Sequence, residues 1–298
     1  MSAVTPQIIT ALRTAFKAEF KNGLGRAESE FLKVATKSTS TSASNTYGWL
    51  GQIPQMREWV GDRVINDIAS SAYQIFNKDF ETTVGVDRND IEDDNVGIYA
   101  PMMRELGRSA GAQPDELTFK LMLDGFSDTC FDGQPFFDAD HPVGPDAANM
   151  STVSNVQAGT GPAWFLLDTS REIKPFIFQE RKKPEFISMD GNNDEETFMR
   201  KLRRYGVDSR CNVGYAFWQM AFASKQELTA ANFNAAYTAM CEFKSDQGNS
   251  LGIRPNLLVV SDRLRTQAHT IVADKLADGS SNVNANVVEV LRTPWLNQ

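Results

Sequence analysis

An α+β fold is expected from three features of the chain. Apolar residues recur at helical spacing near the amino terminus. Tyr205, Val207, Cys211, Val213, Tyr215 and Phe217 fall on alternate positions, with Asp208, Arg210 and Asn212 on the other face, as a long half-buried strand requires. After Thr229 the pattern switches to helices interleaved with short apolar runs, a separate small α/β layer.

In chain order, Thr5 and Pro6 suit an N-cap and a first helical position. Ile8, Ile9, Leu12, Phe16 and Phe20 then recur on a helix that stops at Gly23 to Gly25. The serine and threonine stretch Lys37 to Thr46 has almost nothing to bury and reads as an extended arm. A helix on such an arm either docks on a neighbouring molecule through Ile8, Leu12 and Phe16 or folds back on its own core, and the sequence leaves both courses open. From Asp62 to Val86 the period becomes two, with Phe76, Phe80, Val84 and Val86 on one face of a hairpin that turns near Ser70 to Gln74. Two strands alone are marginal in water, so Phe76, Phe80 and Val84 are expected to be covered by a neighbouring copy.

The acid-rich Asp87 to Asp94 reads as a helix start that runs to about Gly111 with a kink at Pro101, and a second helix begins at Pro114. Strand-like PFIFQ and PEFIS flank a turn at Gln179 to Lys183 and precede the long strand through Val207. Together they make a twisted antiparallel sheet beside a long helix. A helix from Thr229 to Lys244, a strand at Leu257 to Val260, a helix capped by Ser261 and a final strand at Val287 to Val290 complete the chain.

Bulk properties exclude several functions. The 298 residues have 41% hydrophobic and 23% charged content, a balance suited to one large or two modest cores. No apolar run approaches the ~20 residues of a membrane span, and no secretory signal opens the chain, so it is expected to stay in the cytoplasm. Cys130, Cys211 and Cys241 are widely spaced with no CxxC, which argues against a disulfide framework or a cysteine zinc site. A net charge of −8 is wrong for tight, sequence-specific DNA binding, which needs a basic surface.

The chemistry-bearing motifs are few. Asp87 to Asp94 lacks the glycine and glutamate of a calcium loop, and neither a phosphate-binding loop nor a nucleophile elbow occurs. Asp138, Asp140 and His141, within FDGQPFFDADHP at Phe131 to Pro142, could pass for a hydrolase metal site. Asp140 and His141 would point apart on an extended segment, however, and Gly133, Pro135 and the flanking phenylalanines favour a buried structural turn. No metal, cofactor or catalytic residue is therefore assigned. Arg200, Lys201, Arg203 and Arg204 are expected to form salt bridges between subunits rather than to touch phosphate, and Trp59 to anchor an interface.

The same FDGQPFFDADHP string, together with NTYGWLGQIPQMREWVGDR at Asn45 to Arg63, NKDFETTVGVDR at Asn77 to Arg88 and KPFIFQERKKPEF at Lys174 to Phe186, resembles the Mu-like phage major head subunit, the gpT family, over essentially the whole chain. The resemblance implies a Hong Kong 97-like capsid fold. Residues 1–47 would form the amino-terminal helix and arm, 48–87 an extended hairpin loop, 88–125 with 163–221 a peripheral domain with a spine helix, and 126–162 with 222–298 an axial domain. It also implies self-assembly in hexamers and pentamers of an icosahedral shell in the bacterial cytoplasm. That shell would work with a scaffold or protease, a portal and a cement protein, and would enclose double-stranded DNA without reading its sequence. The alternatives are an encapsulin-like compartment and a metal-dependent hydrolase.

Overall fold

Helix α1 (Pro6–Arg26) begins where the sequence places it. The Thr5 hydroxyl accepts the Ile8 amide, and Pro6 sits in the first turn, where no N–H is needed. The computed structural model describes residues 5–48, 73–93, 96–144, 148–276 and 278–297. Of the two courses open to α1, it takes the second: Ile9, Leu12, Phe16 and Phe20 are buried on the chain's own core. A short helix α2 (Phe31–Val34) follows. Its first turn is capped from a distance by the Asp115 carboxylate, which accepts the Glu30 and Phe31 amides and the Ser29 hydroxyl.

Strands β1 (Ala35–Thr39), β2 (Ser44–Thr46), β3 (Gln74–Phe76) and β4 (Lys78–Asp87) come next. Asp87 caps the single turn α3 (Arg88–Glu92) by accepting the Asn89 amide at 2.7 Å. The expected helix break falls earlier than Pro101 and is complete. One continuous helix, α4 (Ala100–Asp124), starts with Pro101 in its first turn and runs straight through Pro114. Packing of Met103, Leu106, Ala110, Phe119 and Met122 against the core overrides the one hydrogen bond that Pro114 removes. Helices α1 and α4 cross closely because glycines stand at the crossing: a Cβ on Gly107 would lie 2.1 Å from the Phe20 carbonyl oxygen.

Short strands β5 (His141–Val143), β6 (Ser151–Val153), β7 (Val156–Gln157) and β8 (Trp164–Leu167) lead to β9 (Phe176–Met189), helix α5 (Glu195–Arg200) and β10 (Leu202–Tyr215). The turn expected at Gln179 to Lys183 is absent. β9 is one strand, and the irregularity is absorbed as register shifts opposite Asp208 to Cys211. Strand β11 (Ala221–Ser224), helix α6 (Ala230–Cys241), strand β12 (Leu257–Ser261), helix α7 (Arg265–Val272) and strand β13 (Glu289–Thr293) complete the chain, the last strand lying two residues later than expected.

Two sheets organise these elements. The first has the order β1-β9-β10-β4, with β1 parallel to β9 and the other pairs antiparallel. The second has the order β13-β12-β8-β11-β7. α1 and α4 cover the first through Leu12, Phe16, Phe20, Met103 and Leu106 against Val86, Phe186, Tyr205 and Val207. A larger core, built on Trp164 to Leu167, Phe222, Phe233 and Leu257 to Val260, fills the second and continues to Phe136, Phe176 and Tyr215. β1 and β4 form the two edges of the first sheet, and β8 pairs in the second.

Candidate assembly surfaces

The FDGQPFFDADHP segment is a buried clasp. Gly133 adopts φ 85°, which a glycine takes without strain, and Asp132 Oδ1 accepts the Gln134 amide at 3.0 Å across that turn. Phe136 stacks on Tyr215, and His141 lies flat on Trp218 with ring centroids 4.1 Å apart and planes within 6°. The imidazole is fully buried, and its Nδ1 lies 2.7 Å from Asp132 Oδ2. Cys130 Sγ lies 3.1 Å from the other oxygen of the same carboxylate.

Of the three residues singled out from sequence, only His141 is in this cluster. Asp140 is exposed, and Asp138 accepts the Ala139 amide while its own amide donates to Asn155. Burial pushes the Cys130 thiol well above its ordinary range, with the charge of Asp132 adding to that, so the thiol stays protonated. Burial alone would raise Asp132, but hydrogen bonds from His141, Cys130 and the Gln134 amide outweigh it and hold the carboxyl below its usual range. Cys130, Asp132 and His141 bring one ligand atom each within 4.8 Å of one another. Their mutual hydrogen bonds make them a structural tie between the loop and the core. Asp132 was legible in the sequence as the start of an Asp-Gly turn; Cys130 carried no local signal.

The basic cluster is used inside the subunit. Arg203 is almost fully buried, and its guanidinium donates to the Asp190 carbonyl oxygen and, at 2.7 Å, to Asn192 Oδ1. Arg13 on α1 pairs with the buried Asp190 carboxylate from the other side. Arg204 and Arg200 both reach Glu196, at 2.7 and 3.4 Å. Within the subunit these pairs brace the connection from β9 to β10.

The apolar candidates divide in the same way. Leu12 and Phe16 are core, Phe80 and Val84 are half-buried on their own sheet, and only Ile8 and Phe76 remain open, Phe76 at 61% exposure. Phe80 and Val84 are partly covered because β4 pairs along β10, with Ser209 opposite Phe80 and Tyr205 opposite Val84. Trp59 and the first strand of the expected hairpin lie outside the described residues. More open apolar side chains stand where the sequence reading placed no contact: Phe198 at 81% and Met199 at 69% on α5, with Ile187 and Met189 on the outer face of β9. Among the described residues no helix is long and apolar enough to cross a membrane.

Residues 9–296 match the model of the family described as the Mu-like prophage major head subunit gpT. The chain is 48% identical to the Mu-like prophage FluMu major head subunit of Haemophilus influenzae, covering 93% of this chain and 92% of that protein. It is 45% identical to the major capsid protein of Escherichia phage Mu, covering 94% of both. Among solved structures, a chain of the procapsid of bacteriophage JBD30 superposes with a TM-score of 0.87 at 54% identity, over 98% of this chain and 100% of that one.

Proposed function

Since the chain belongs to the Mu-like prophage major head subunit gpT family, we propose that it builds its shell through apolar side chains its fold leaves open, Ile8, Phe76, Phe198 and Met199 among them, carried on a subunit already closed on itself. It is a major capsid protein of Mu-like phage type with a Hong Kong 97-like fold, and it forms the head shell. The observation that carries the proposal is the contrast in burial. The cores on the two sheets are filled from within the subunit, whereas Ile8, Phe76, Phe198 and Met199 have large exposed faces at the ends of elements.

In this reading the β1-β9-β10-β4 sheet with α1 and α4 is the peripheral domain, and the β13-β12-β8-β11-β7 sheet with α6 and α7 is the axial domain. Copies gather as hexamers and pentamers in the host cytoplasm. A scaffold or protease, a portal and a cement protein act on the growing shell. The net charge of −8 suits a lining that encloses double-stranded DNA without holding it. The buried clasp at His141 supplies tertiary ties rather than catalysis.

The test is assembly of the purified chain, with scaffold supplied where needed, followed by light scattering and electron microscopy. Closed shells or capsomers are expected. A compact monomer of 33.1 kDa in every condition would overturn the proposal.

A further inference from the structure

We propose that α5 and its flanks form a contact site for a second copy of this chain, with Phe198 and Met199 of the two copies packed together and Glu195 of one facing Lys201 of the other. The inference rests on the reading that copies assemble, and it names where they touch.

Four observations converge. The exposed face of α5 places Phe198 and Met199 between an acid and a base, Glu195 before them and Lys201 after. Those two flanking charges have no ion-pair partner within the subunit among the described residues. Glu196, the acid on the inner side, is already engaged by both Arg200 and Arg204. A segment ordered acid, apolar, base is complementary to itself when two copies run antiparallel, so one patch on each subunit suffices and no second surface has to be invented.

Lys201 also sits at φ 56° and ψ 26°, a left-handed cap position that glycine or asparagine ordinarily fills. A lysine held there costs conformational energy, and the fold supplies no ion pair in return. Finally, the segment is mounted rigidly. Arg203 holds the Asp190 carbonyl and Asn192 at its base, Arg13 holds the Asp190 carboxylate, and the Arg88 amide donates to the Lys201 carbonyl at 2.8 Å. An exposed tip on a fixed base loses little freedom on docking. Nucleic acid is a poor occupant, because Asp194 and Glu195 would face its phosphates.

The experiment uses the full chain under conditions where the wild type forms shells. Phe198→Asp, Glu195→Lys and Lys201→Glu are each expected to lower the yield of shells by about tenfold or more while circular dichroism and thermal melting of the subunit stay close to wild type. The double exchange of Glu195→Lys with Lys201→Glu should restore assembly to within about threefold of wild type. Phe198→Cys, oxidised in assembled shells, should yield disulfide-linked copies of this chain. Normal shells from Phe198→Asp, a double exchange no better than either single, or a Phe198→Cys shell without cross-linked copies would each overturn the contact and leave the capsid reading intact. Failure of the wild type to assemble would overturn the capsid reading itself.

Discussion

The loop around His141 and the connection around Phe198 are built from similar parts, carboxylates and cations beside aromatic rings in short irregular segments, yet they end in opposite states. In the first, Asp132 and His141 have turned inward while Asp140 stays exposed. His141 lies on Trp218, Asp132 takes hydrogen bonds from His141, Cys130 and the Gln134 amide, and the three phenylalanines at 131, 136 and 137 pack into the core. In the second, the base is tied down through Arg203 and Asp190 while the tip holds Phe198, Met199, Glu195 and Lys201 in solvent. Residue types alone do not distinguish a tie from a contact site. What separates them is where the partners lie: His141, Cys130 and Asp132 bond to one another inside the subunit, whereas Glu195 and Lys201 have no ion-pair partner there among the described residues.

The comparison breaks most visibly at His141. His141→Ala removes a fully buried ring and leaves the Asp132 carboxylate short of a donor, which should cost about 3–5 kcal/mol in urea unfolding. Wild-type protein is expected to hold no stoichiometric metal by elemental analysis. Near-unit zinc or manganese that disappears in this variant would turn the tie into a ligand site.

Next in size is the base of the α5 connection. Arg203→Ala strips the buried guanidinium from the Asp190 carbonyl and Asn192, and a loss of about 2–3 kcal/mol is expected from the unpaired acceptors it leaves. Hydrogen exchange should rise over residues 190–201. If the tip instead stays protected, its mounting lies elsewhere.

A smaller, pH-dependent effect marks the clasp. Because the Asp132 carboxyl is held below the ordinary carboxylate range, it stabilises the fold above that range, and the gain is lost as pH falls through its folded value. Asp132→Asn should therefore be less stable than wild type near neutrality, with the gap closing on the acid side. A gap that does not change with pH would mean the carboxylate charge plays no part in the tie.

The two regions were unequally legible in the sequence. Strict alternation identified β10 and helical spacing identified α1, because each pattern is local and each element buries one face. FDGQPFFDADHP could be recognised as a turn from Gly133, Pro135 and its phenylalanines, but the pairing of His141 with Asp132, nine positions apart, depends on how the turn closes. The local period of β4 suggests pairing with the segment before it. Its partner β10 lies more than a hundred residues later, a separation that no local period reports. Arg203 is hard to place for a related reason: a buried arginine bonded to a backbone carbonyl looks, in sequence, like any basic run. The tip at Phe198 was overlooked because apolar residues on a short amphipathic turn ordinarily face inward.

The finest distinction between tie and contact site rests on Lys201. A non-glycine residue in the left-handed region carries about 1–2 kcal/mol of steric cost, and glycine there gives back part of it through its freer unfolded chain. Lys201→Gly should thus make the isolated subunit more stable by about 0.5–1 kcal/mol, a shift that thermal melting can resolve. If the lysine stands there only by accident of the chain, shell yield will follow stability upward or stay unchanged. If it stands there to meet Glu195 of another copy, the better-folded variant will assemble less well, and the two readouts will move in opposite directions.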